Sequence, residues 1–139
     1  AIKSTPELSE RFYNHPTFAP ATASGSLVCT VADYARFMQV FTDSSGTNFL
    51  SADSKAEMLK PYADVKRYTS AGLGWLIEQT PTGIAFSHGG FNTGFKSFSL
   101  GRPDTNEIAV LATNSNEGDR LRWPIISGLT GAGEADLLG

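Results

Sequence analysis

The residues able to do chemistry crowd into one stretch, Phe86–Ser97, which reads FSHGGFNTGFKS and gathers a histidine, three glycines, a lysine and two serines. Glycines followed by lysine and serine are the materials of a phosphate-cradling loop, in which backbone N–H groups wrap the phosphates and the lysine folds back over them. That loop needs lysine directly after its last glycine and a helix beginning there. Here Phe95 intervenes between Gly94 and Lys96, and FKSFSL alternates Phe95, Ser97 and Ser99 against Lys96, Phe98 and Leu100. This is a strand period, with no helix N-terminus to offer an anion. A nucleotide is therefore not the expected ligand. Nucleophilic catalysis instead needs a hydroxyl beside a base. The spacing Ser/Thr-x-x-Lys occurs only as Thr93 to Lys96, and on an extended segment it sends the two side chains to opposite faces. Two histidines, His15 and His88, and the single Cys29 lie far apart in sequence and make no zinc set. No metal and no cofactor is expected. His15, inside YNHPT, reads as a solvated loop residue, and Cys29, with no base identifiable beside it, as a small buried one.

The elements that must position this stretch can be read from periodicity. Residues 1–25 carry Pro6, Pro16 and Pro20 without a sustained period and read as an irregular arm. Residues 26–66 read as helical. Thr30 with Asp33 three residues on has the form of an N-terminal cap, and Val31, Tyr34, Ala35, Met38 and Phe41 follow at helical spacing, giving a helix from Val31 to Thr42. Asp33 is assigned to capping and Arg36 to a surface or interface ion pair. Ser51 caps a second short helix, ADSKAEMLK, which Pro61 ends. Residues 67–139 read as antiparallel strands and a C-terminal helix. AGLGWLIEQ puts Leu73, Trp75 and Ile77 on one face and pairs through the turn TPTG with IAFSH. A glycine-rich link leads to FKSFSL, the turn GRPDTN leads to EIAVLATN, and the last run has the β-branched character of a central strand. Four consecutive strands are expected. The tail places Leu121, Ile125 and Leu129 at helical spacing, with Pro124 either kinking the helix or marking its first turn. Trp75 and Trp123 are expected in the core or on the sheet face. The fold class is α+β, an antiparallel sheet with packed helices in a single partial domain.

Composition removes several partners. A chain of 139 residues that is 40% hydrophobic, with net charge -3 and no long charged run, can bury a core and offers no electrostatic footprint for nucleic acid or an anionic membrane. No apolar run is long enough to span a bilayer. AIKSTPELSE has neither the apolar stretch nor the cleavage site of a signal peptide, so any export signal is expected in a longer parent.

Three segments in order carry a resemblance: SGSLVCTVADYARF, AGLGWLIE and SHGGFNTGFKSFSL. Together they resemble the C-terminal part of the serine β-lactamase and penicillin-binding-protein family, in particular its class C β-lactamase, D-aminopeptidase and esterase branch. EIAVLATNSNEG looks like the family's next strand and turn, so the match covers roughly residues 23–129. The resemblance implies a partial β-lactamase/transpeptidase-like fold in which His88 and Gly90 form the third motif, on the strand that walls one side of the active site. Gly90 would let substrate backbone approach. His88 would offer a hydrogen bond or partial positive charge where other branches place lysine. The backbone N–H of Phe91 would supply half of an oxyanion hole, and Gly89, Asn92 and Gly94 would shape the edge. Read without the resemblance, His-Gly-Gly is simply a bend between strands.

In that family the nucleophile and base come from Ser-x-x-Lys, faced by Tyr-x-Asn. Neither occurs in these 139 residues. The resemblance therefore implies the C-terminal portion of a serine hydrolase, acting by acyl-serine transfer on a β-lactam, a D-amino-acid peptide or an ester, and inactive alone. Its partners would be a small-molecule or peptide substrate in the parent, together with the missing N-terminal half or a second copy of the chain. For a bacterial parent, the periplasm or secretion would fit. The alternative is a non-catalytic binding module that uses the same sheet as a docking surface.

Overall fold

Helical spacing gives way to alternation from Ala71 onward, and the helices α1 and α2 of the chain precede its sheet. The computed structural model describes residues 27, 29–43, 49–80, 82–92 and 94–130. Two helices come first, α1 (Val31–Thr42) and α2 (Ala52–Met58). Six strands follow: β1 (Ala63–Lys66), β2 (Thr69–Ala71), β3 (Leu76–Thr80), β4 (Gly83–Asn92), β5 (Phe95–Arg102) and β6 (Glu107–Thr113). Helix α3 (Asp119–Thr130) closes the described chain. The strands form one antiparallel sheet in sequence order. The chain divides into two compact units, Ala1–Thr30 and Val31–Gly139. Of the first, Leu27, Cys29 and Thr30 are described, all exposed; the irregular arm and His15 lie outside the described residues.

The two sheet faces follow from strand alternation. One carries Ile77, Phe86, Ile108 and Val110 and is covered by α1, whose Met38 and Phe41 are buried against it together with Trp75. The aromatic rings there meet edge to face, Phe41 to Trp75 at 5.2 Å and Trp75 to Phe86 at 4.9 Å between centroids. Full burial of such side chains stabilises by about 1.5–3 kcal/mol each. The other face carries Ala85, Phe98 and Leu100 beneath Trp123 of α3. Helix α2 starts where Ser51 accepts a hydrogen bond from the Ser54 N–H at 3.1 Å. Its C-terminal carbonyl on Met58 takes the Leu73 N–H at 3.0 Å, and the Lys55 ammonium donates to the Asp43 carbonyl at 3.0 Å, fastening α2 to the end of α1.

Several expectations are corrected. The sheet has six strands, not four; β1 is short and exposed and β2 short and partly buried, with no apolar alternation to announce them. β1 opens within the stretch read as helical. The glycine-rich link is taken into β4 as far as Asn92, because Gly89 and Gly90 continue the strand in register with Phe98 and Ser97. Leu73 is 49% exposed while Trp75 and Ile77 are buried, since the chain turns at Gly74 (φ 83°) before β3 begins. β6 is the outermost strand among the described residues rather than a central one; its apolar residues are explained by helices on both faces. In α3, Leu121 and Ile125 are exposed, and Trp123 with Arg122 turns to the sheet, the guanidinium lying 3.8 Å from the centre of the Phe98 ring. Pro124 sits inside this helix, beyond its first turn. Cys29 is exposed, not buried, because it precedes α1 with no element of its own to carry it inward. Asp33 pairs with Arg36 at 2.6 Å on the exposed side of α1.

Candidate functional site

β4 is ten residues long and β3 five. Pairing between them runs from Thr80↔Gly83 to Leu76↔Ser87 and stops, while pairing of β4 with β5 continues to Asn92↔Phe95. From His88 to Asn92 the strand is therefore paired on one side only among the described residues. The Ser99 hydroxyl donates to the His88 carbonyl at 3.2 Å, which turns that carbonyl toward β5. Backbone groups alternate along a strand, so the N–H groups of Gly89 and Phe91 are directed to the opposite, open side.

Around this edge the expected site residues divide by face. His88, Gly90 and Asn92 share the α1 face; Gly89 and Phe91 share the α3 face. His88 is exposed, its imidazole edge-on to the Trp75 ring at 6.4 Å between centroids. The imidazole makes no hydrogen bond among the described residues, and neither does the buried Trp75 indole N–H. Gly90 faces Ser97 across the strands, and a Cβ at Gly90 would run into the Ser97 hydroxyl. Gly89 is open: the nearest atom to the place a Cβ would take is the Ser97 carbonyl oxygen, 3.8 Å away. Phe91 is 75% exposed, its ring against the Lys96 ammonium on the far face. Gly94 (φ 83°) makes the hairpin turn, and its N–H donates to the Asn116 side chain at 2.7 Å. Ser97, Ser99 and Asn116 join the site without any signal of their own in the sequence. The cross-strand register that brings them here pairs Asn92 with Phe95, and composition alone does not fix that pairing.

Chemically, unpaired backbone donors on a strand edge, flanked by an imidazole and a side-chain-free glycine, can accept an extended main chain by strand addition and hydrogen-bond a carbonyl or oxyanion. A nucleophile with its base is missing from the described residues. Lys96 is buried on the opposite face from His88 and Ser97, which also removes it from any phosphate. A shallow depression of about 440 Å³ lies elsewhere, lined by Asp53, Ser54, Glu57, Met58 and Leu73, and shares none of the site residues. No helix among the described residues is long and apolar enough to cross a membrane.

The comparisons with known proteins agree with this architecture. A family model described as Beta-lactamase matches residues 3–127. The chain belongs to the Beta-lactamase family. Its sheet with helices on both faces is a partial β-lactamase and penicillin-binding-protein fold. Among solved structures it is similar to a penicillin binding protein from Bacillus halodurans, with 23% identity over 58% of this chain and a TM-score of 0.52. The match spans 25% of that protein's length. A search of curated proteins returns no match.

Proposed function

We propose that this Beta-lactamase-family chain contributes one wall of an acyl-transfer site, the wall formed by the open edge of β4 at His88–Asn92, to a serine hydrolase acting on a β-lactam, a D-amino-acid peptide or an ester. The observation that carries the reading is the one-sided pairing of residues 88–92. In this reading the Phe91 N–H stabilises the oxyanion of the tetrahedral intermediate, a donor of the kind whose removal costs about a hundred- to a thousandfold in rate. Gly90 and Gly89 let the acyl group lie along the strand, Asn92 bounds it, and His88 hydrogen-bonds the substrate or the nucleophile region. The serine and its base come from Ser-x-x-Lys and Tyr-x-Asn elements that the 139 residues do not contain, so the chain by itself is inactive.

The test is to assay the chain, and the product of its complete reading frame, against a chromogenic β-lactam and a p-nitrophenyl ester. The expected result is no turnover by the chain alone, and turnover abolished by a serine acylator for a product that supplies both motifs. Serine-dependent turnover by the chain alone would refute the placement of the nucleophile. A binding module is the second reading, favoured by the same unpaired edge and by exposed Phe91. A complete reading frame without the two motifs, together with binding of an extended peptide that broadens the amide signals of residues 88–92, would select it.

A further inference from the structure

Lys96 is a buried cation that the proposed reaction does not use. It lies on the face of the sheet away from His88, with its side chain 6% exposed. An ammonium in such a place is costly unless paired, and an apolar residue of similar volume usually serves stability as well or better. The start of α3 does not explain the charge either, because the first turn of a helix is its positive end. Two groups do meet it. The Nζ atom lies over the ring of Phe91, its cross-strand partner, and the Asp119 carboxylate in the first turn of α3 is 3.7 Å away.

The surroundings hold this arrangement from behind. Gly118 is buried against the lysine stem, and a Cβ there would come within 3.0 Å of the Lys96 Cβ and run into the Thr113 hydroxyl. The same loop, between β6 and α3, supplies Asn116, which takes the Gly94 N–H at 2.7 Å. The tip of the β4–β5 hairpin is thus gripped twice, at the Phe91 ring and at Gly94, both times from the side away from the open edge. Without those grips, residues 89–92 would be held by a single strand ladder.

We propose that Lys96 is a positioning residue: through the Phe91 ring and Asp119 it fixes the Phe91 backbone so that its N–H stays directed at the open edge. The proposal rests on the reading of that N–H as an oxyanion donor, and its test is independent of turnover. Backbone ¹⁵N relaxation is measured on the chain. Wild-type order parameters at Gly89–Asn92 are expected near the rigid value of about 0.85, and Lys96→Met drops them below about 0.6 while those of Ile84–Phe86 hold. Phe91→Leu, which keeps bulk but removes the ring, produces the same loss, and Lys96→Arg, which keeps a cation for the ring, restores rigidity. Unchanged order parameters at residues 89–92 in Lys96→Met, whatever its melting temperature, overturn the proposal. Should Lys96→Met fail to fold, Asp119→Asn removes one of the lysine's two partners at an exposed position. A partial fall confined to residues 89–92 then supports the proposal, and no change overturns it.

In an assembled, active protein, Lys96→Met should lower kcat about tenfold or more with KM within about twofold, the pattern of a displaced transition-state donor. An equal loss confined to KM would overturn the role. If no assembly transfers acyl groups, the proposed function falls, and the relaxation result still decides what Lys96 does.

Discussion

Two glycines on the α1 face of the sheet, Gly90 and Gly101, offer a matched test of how the site is built. Gly101 lies opposite Phe86, and the Phe86 ring occupies the space a Cβ would take. Phe86 is fully buried between Phe41 and Trp75, so the ring has nowhere to go. Overpacking of this kind costs about 1–3 kcal/mol, and the smaller conformational freedom of alanine in the unfolded chain returns about 0.4–1 kcal/mol. Gly101→Ala should therefore destabilise by roughly 1–2 kcal/mol. At Gly90 the obstacle is the Ser97 hydroxyl, on an exposed side chain that can rotate into water. The same entropic gain then balances a small rotamer cost, and Gly90→Ala should change stability by less than about 0.5 kcal/mol. Urea unfolding with unchanged slope m measures both. Adding Phe86→Leu to Gly101→Ala should recover part of the loss, a coupling of about 0.5 kcal/mol or more. The reasoning fails if Gly90→Ala is as damaging as Gly101→Ala, or if the double variant is simply additive.

The remaining predictions concern buried polar groups. Trp75 carries an indole N–H with no partner among the described residues, and leaving such a donor buried costs about 1–3 kcal/mol. Trp75→Phe should therefore lose less than about 1 kcal/mol, against about 3–5 kcal/mol for Trp75→Ala, in chemical denaturation; a Phe variant as unstable as the Ala variant would argue that the N–H is satisfied. Glu78 is buried on the α3 face, and burial raises its pKa above the ordinary glutamate value, with Lys66 and Arg122 opposing the rise. A raised folded-state pKa means the neutral form is favoured: its stability contribution is full below the unfolded pKa of about 4.3 and is lost as pH rises through the folded value. Glu78→Gln should then melt higher than wild type at pH 7 and converge with it in acid. A variant less stable at pH 7 would show that the attraction of Lys66 and Arg122 outweighs burial.

Much of the fold was legible locally because local rules decide it. The i, i+3, i+4 spacing of Tyr34, Met38 and Phe41 marks α1, Ser51 marks the start of α2, and the alternation of Lys96, Phe98 and Leu100 marks one face of β5. The motif order also pointed to the family. Beyond reach were the short strands β1 and β2, whose pairing rather than their composition makes them strands, and the orientation of α3. There Leu121 and Ile125 have helical spacing yet are exposed, and the helix turns Trp123 and Arg122 to the sheet, the guanidinium lying over the Phe98 ring.

For the candidate site the division is clear in physical terms. The sequence by itself determined that His88 and Gly90 share a face of an extended segment, that Lys96 points away from Ser97, and that Ser-x-x-Lys and Tyr-x-Asn are missing from these residues. Only the tertiary structure decided that β3 ends before His88, that Phe91 rests on a buried lysine, and that Asn116 grips the hairpin tip. Side-chain direction along a strand is set by neighbouring peptide units, but where a strand loses its partner depends on where a different segment turns, and Gly74 makes that turn fourteen residues before His88.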